Sequence, residues 1–126
     1  IAPGKRPLHT LVPALATKDG KPWLAFGVMG GAYQPLGHVH VLTNIVDYGM
    51  DPQAAIEAPR VFFEGDRLLV EESVPMEIRQ GLSGLGHSVG VRELPWGGSQ
   101  CIMIDRVRGV LAGGSDHRKD GFAIGY

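Results

Sequence analysis

A chain of 126 residues and 13.5 kDa with 44% hydrophobic residues has the composition of one globular domain, or of a piece of a larger one, and not of a disordered segment. Lys and Arg number 12 against 13 Asp and Glu, and the resulting net charge of −1 argues against nucleic acid or a membrane surface as partner. The single cysteine, Cys101, excludes an intrachain disulfide, and no apolar run approaches the roughly 20 residues that a membrane span needs.

The opening "IAPGKRP" is loop-like and begins without methionine, which suggests a processed or truncated chain. Compartment stays open between bacterial cytoplasm and periplasm or secretion. Two apolar strands follow, about His9–Thr17 and Pro22–Met29, with the hairpin signal Asp19-Gly20 between them. Leu11, Val12, Leu15, Trp23, Leu24 and Phe26 leave little polar alternation, so both faces of this sheet are expected to be covered. Pro13 points to an edge strand or a bulge.

From about Gln34 to Tyr48 the period becomes helical, through Val39, Leu42, Ile45 and Val46, with Gly49 as the stop. Asp51 can cap a second short helix that has Pro52 at its first position and ends at Pro59. "RVFFEGDRLLVEE" reads as a hairpin turning at Gly65-Asp66. A third helix places Met76, Ile78 or Arg79, Leu82 and Leu85 on one face and stops at Gly86. Strands at His87–Leu94, Ser99–Asp105 and Val110–Ala112 complete an order β-β-α-α-β-β-α-β-β-β. That is an α+β pattern with antiparallel sheet and helices on the sheet faces.

Candidate chemistry is sparse. His38 and His40 sit two apart on one helix, where metal pairs use i, i+4 spacing, and Cys101 has no CxxC partner. Neither a metal nor another cofactor is expected. "GVMGGA" joins a strand to a helix, as a phosphate loop does, but it lacks both GxGxxG and GK[ST]. Thr10, Thr17, Ser73, Ser99, Cys101 and Ser115 are the possible nucleophiles, with no G-x-S-x-G elbow among them. Cys101, in "SQCIMI", reads as a core residue. The pair Gly30-Gly31 has two readings that the residues alone leave open. It can be a tight turn, or two adjacent N–H groups that stabilise a developing oxyanion.

Six stretches, in one order and spacing, resemble the small-subunit portion of the gamma-glutamyltransferase family. They are "PGKRPLHTLVP", "GVMGGAYQP…VLTNIVDYGMDPQAAIEAPR", "VEESVP", "GLGHSV", "GGSQCIMID" and "GGSDHRKDGFAIGY". The resemblance implies a four-layer αββα N-terminal-nucleophile hydrolase that cuts itself into large and small subunits. Its nucleophile is a threonine at the start of the small subunit, which attacks a gamma-glutamyl amide such as that of glutathione. Residues 1–126 would then be a C-terminal portion of the small subunit. The chain would lack the nucleophile and depend on the large subunit and the N-terminal part of its own subunit.

Two site elements follow from the resemblance. Gly30 and Gly31 match the glycines of the family's "PGGS" motif, whose N–H groups form the oxyanion hole. His9 and Thr10 occupy the positions of a serine pair that binds the substrate α-carboxylate. Threonine keeps a hydroxyl donor, but histidine is bulkier and ionisable. A related acylase with a different acyl specificity is therefore an alternative to a glutathione-cleaving enzyme, and a non-catalytic paralogue is another. The family's "SDPR" stands here as "SDHR", and Asp116 and Arg118 are expected to be structural.

Overall fold

Pro13 opens the first strand, β1 (Pro13–Lys18), and the chain turns at Asp19-Gly20 into β2 (Lys21–Val28). The structure, a computed structural model, describes residues 1–126. Its strands and helices follow in the predicted order: α1 (Gln34–Val46), α2 (Pro52–Glu57), β3 (Val61–Glu64), β4 (Arg67–Glu71), α3 (Met76–Gly84), β5 (Val89–Arg92), β6 (Ser99–Asp105) and β7 (Val110–Ser115). The larger sheet is antiparallel, in the order β1-β2-β6-β7. β1 is an edge strand with a bulge at Ala16/Thr17, as Pro13 foretold.

The first strand is shorter than expected. A ladder running back to His9 would need an N–H that Pro13 lacks, and the carbonyls of Thr10 and Val12 are taken by side chains of α1 instead. The second sheet, β3-β4-β5, also departs from a purely antiparallel arrangement, because β4 and β5 pair in parallel. α3 is the crossover that returns the chain to the same end of the sheet, which a hairpin turn cannot do.

Both helix signals around Asp51 hold. Its carboxylate accepts the Ala54 N–H at 2.9 Å, and Pro52 fills the first turn. α1 and α2 lie on one face of the larger sheet. The core between them holds Leu24, Phe26, Val28, Val41, Ile45, Ala55, Ile56 and Cys101.

The other face carries no helix, and only the C-terminal segment lies against it, with Ala123 beside Gly113, so within these residues it is not covered as expected. Register sets Leu15, Ala25, Ile102 and Gly113 in one row across the four strands, and Leu15 is 62% exposed. The strands are apolar on both faces, but the chain supplies helices to only one. α3 likewise presents Met76 and Ile78 to solvent, as does Leu85 just after it.

Candidate functional site

β2 ends at Val28, and three residues later a 3-10 turn, Gly31–Tyr33, leads into α1. Between them Gly30 has φ +131° and Gly31 φ +58°, a succession closed to most side chains. The backbone route therefore demands glycine at both positions. The Gly30 carbonyl accepts the Tyr33 N–H at 3.2 Å, and the Gly30 N–H has no acceptor in the chain. The Gly31 N–H opens a helical turn and has no partner inside it. Both glycines are exposed, and the space beside Gly31 is open. Two adjacent donors thus stand free at the surface where β2 meets α1.

The segment of His9 and Thr10 is brought to the same end of α1. Gln34 Nε2 donates to the Thr10 carbonyl at 3.1 Å, three residues beyond Gly31. The two ring nitrogens of His38 lie 2.6 Å from the carbonyl oxygens of Gln34 and Val12, and its ring packs on Phe26. His9 and Thr10 remain exposed. His38 is a pin holding the N-terminal segment to the helix. His40 is half-buried with Nδ1 3.5 Å from the Tyr33 hydroxyl, and burial, helped by the Arg60 charge, lowers its pKa.

Under the double glycine lies an aromatic and ionic layer. Tyr33 is 1% exposed, stacks on Trp96 at 5.7 Å and meets Phe62 edge-on. Burial pushes its hydroxyl up to about 12. The Arg60 guanidinium sits 5.8 Å from the Tyr33 ring and donates to the Trp96 carbonyl, Ser99 Oγ and Asp116 Oδ2. Asp116 also accepts from Ser99 N at 2.8 Å and Arg118 N at 3.0 Å. Arg118 grips Glu71 through Nε at 3.0 Å and Nη2 at 2.6 Å, and caps α2 through the carbonyls of Ile56, Glu57 and Ala58.

Burial alone would raise the Asp116 carboxyl. The Arg118 N–H and the Arg60 guanidinium outweigh it and hold the carboxyl below the usual carboxylate range. The Arg118 guanidinium is itself stabilised as a cation, because Glu71 and Asp116 more than offset its burial. No buried side-chain polar atom lacks a partner. Asp116 and Arg118 are structural, as expected. Their partners Arg60 and Glu71 were invisible in sequence, because an Arg beside a helix end and a Glu at a strand end read as surface charges. Cys101 is buried and donates to the Pro52 carbonyl, with burial raising its thiol to about 11, so it is no nucleophile.

A family model described as gamma-glutamyltranspeptidase matches residues 1–126. The chain is 34% identical over 126 residues to the glutathione hydrolase proenzyme of Bacillus subtilis strain 168, covering 99% of this chain and 22% of that protein. It is 36% identical over 124 residues to the acylase ACY 1 proenzyme of Pseudomonas sp. strain V22, covering 98% of this chain and 22% of that protein. The fold superposes on a cephalosporin acylase from Bacillus halodurans with a TM-score of 0.81 and 44% identity, over 94% of this chain and 23% of that one. The chain spans less than a quarter of the length of each of these relatives.

Proposed function

Because the chain belongs to the gamma-glutamyltranspeptidase family, we propose that it is the C-terminal portion of the small subunit of a self-processing N-terminal-nucleophile amidohydrolase or acyltransferase. Its fold is the α+β fold of that family, whose named members here are enzymes made as proenzymes. Its partners are the large subunit and the preceding part of the small subunit, and its substrate is a small acyl amide, in the first place a gamma-glutamyl amide such as glutathione. A threonine from the preceding part attacks the amide carbonyl, with its own α-amino group taking the proton. The carbonyl oxygen then carries the negative charge. The N–H groups of Gly30 and Gly31 receive it, and collapse expels the amine as the α-amino group passes its proton to the leaving nitrogen. Water or an acceptor amine releases the acyl group from the threonine.

The observation that carries this reading is the pair of exposed, adjacent N–H donors at Gly30-Gly31, on an end of α1 that also holds the His9-Thr10 segment. Such donors are each worth about 10²–10³ in kcat. Gly31→Val in the full-length enzyme should therefore lower kcat by about 10²-fold with KM nearly unchanged. An unaltered kcat refutes the oxyanion role. Intact mass with N-terminal sequencing of every chain tests the processing. A small subunit that starts with any residue other than threonine removes the nucleophile.

A second reading, an acylase for a different acyl group, is favoured by His9-Thr10 in place of the family's serine pair. The similarity to a cephalosporin acylase supports it. Both readings use the same glycines and differ only in what the exposed His9-Thr10 segment accepts.

A further inference from the structure

We propose that Gly97 and Trp96, in the loop between β5 and β6, are positioning residues that clamp the Met29–Gly30 peptide and so aim the N–H groups of Gly30 and Gly31. The inference rests on the oxyanion reading above. The Gly30 N–H belongs to the Met29–Gly30 peptide, and the backbone at and around that peptide is held from three sides. Met29 N–H donates to the Gly98 carbonyl at 2.9 Å, which extends the β2·β6 ladder one residue past the Val28–Ser99 pair. The Tyr33 side chain lies beneath, 3.4 Å from where a Gly30 Cβ would stand. Gly97 closes the third side. At φ +48°, a methyl group on Gly97 would overlap the Met29 carbonyl oxygen, and lie 2.5 Å from the Met29 carbonyl carbon and 3.1 Å from Gly30 N.

The loop cannot retreat to make room. Trp96 is 5% exposed, stacks on Tyr33 and meets Phe62 edge-on at 6.1 Å, and its carbonyl is fixed by the buried Arg60 guanidinium. Tyr33 in turn donates its N–H to the Gly30 carbonyl. The indole, the phenol ring and the two glycine turns thus form one circuit of contacts around the Met29–Gly31 backbone. Gly97 differs in this from the remote turn glycine Gly109, which has φ +69° but nothing within 4 Å of its would-be Cβ. Any side chain at Gly97 must push the donor peptide, and a misplacement of about 1 Å can cost roughly 10²-fold in rate.

The test compares four variants of the full-length processed enzyme, with turnover of an acyl anilide that the unaltered enzyme hydrolyses (gamma-glutamyl first). Gly97→Ala should lower kcat about 10²-fold with KM within about threefold, because the donors act chiefly on the transition state. Gly97→Asn fits a positive φ better but keeps the Cβ, and should lose as much. Gly109→Ala imposes similar backbone strain without a clash, and should keep kcat. Gly31→Val separates the two ideas. Loss of kcat in Gly31→Val with none in Gly97→Ala overturns the clamp and leaves the oxyanion reading standing. Unaltered kcat in both removes the oxyanion reading and the clamp together. If the Gly97 variants do not accumulate as folded enzyme, Trp96→Phe slackens the loop without a steric block and should lower kcat roughly tenfold at constant KM. An unaltered kcat there overturns the clamp.

Discussion

His9 and Thr10 show how little a residue's type says until its neighbours are known. Both side chains are exposed, and only the Thr10 carbonyl is engaged, by Gln34. Their side chains are thus free to meet a substrate at the end of α1 where Gly30-Gly31 opens. If they take the role of the family's serine pair, the double change His9→Ser with Thr10→Ser should raise the preference for gamma-glutamyl over other acyl amides, by about tenfold in the ratio of kcat/KM values. An unmoved ratio would show that these positions do not read the α-carboxylate. His38 carries the opposite lesson. Its sequence context named no role for it, and its two ring nitrogens make it a tie between the N-terminal segment and the helix.

At the scale of elements, the junction of β2 with α1 decides the site's shape. Gly37 lies on the inner side of α1, where an added methyl would stand 2.6 Å from Val28 Cγ1 and 2.7 Å from Tyr33 Cε1. Helix propensity alone favours alanine over glycine there by about 1 kcal/mol. Overpacking a close contact costs about 1–3 kcal/mol and falls on two side chains that are themselves confined. Gly37→Ala should therefore lower the melting temperature of the full-length enzyme despite the better helix former. A raised melting temperature would show that α1 can shift away from β2 at small cost. The close approach also explains why Tyr33, one turn before Gly37, can reach beneath Gly30.

Across the whole molecule, the Arg60–Asp116–Arg118–Glu71 network ties the ends of α2, β4, β6 and β7 to the Trp96 loop. Removing one member leaves a buried charge unpaired, so Asp116→Ala should cost about 3–5 kcal/mol, seen as a large fall in melting temperature. Loss of less than 1 kcal/mol would show that water enters to replace it. The pH dependence has a definite sign. The folded carboxyl of Asp116 holds its proton less tightly than the unfolded one, whose pKa is about 3.9. Its stabilisation is complete above that value and is lost as pH falls through the depressed folded value. Asp116→Asn should flatten this acid limb in melting temperature against pH. An unaltered limb would assign acid sensitivity to other carboxylates. The helix-free sheet face carrying Leu15 and Ile102 belongs to this scale too.

The order of strands and helices was legible in the sequence, because it is written locally: alternation against helical period, Asp51 with Pro52, Asp19-Gly20, and Gly65 between two apolar runs. The need for glycine at positions 30 and 31 was half legible. The motif marked the place, but only the dihedral angles showed that both residues require it. What the sequence could not carry is everything that depends on distant segments meeting. Arg60 and Asp116 are 56 residues apart, and Gly97 reaches Met29 only because β6 pairs with β2. The parallel pairing of β5 and the helix-free second face of the sheet are of the same kind. A side chain's local pattern fixes its element, whereas its partners follow from how the elements pack, and that was settled only in three dimensions.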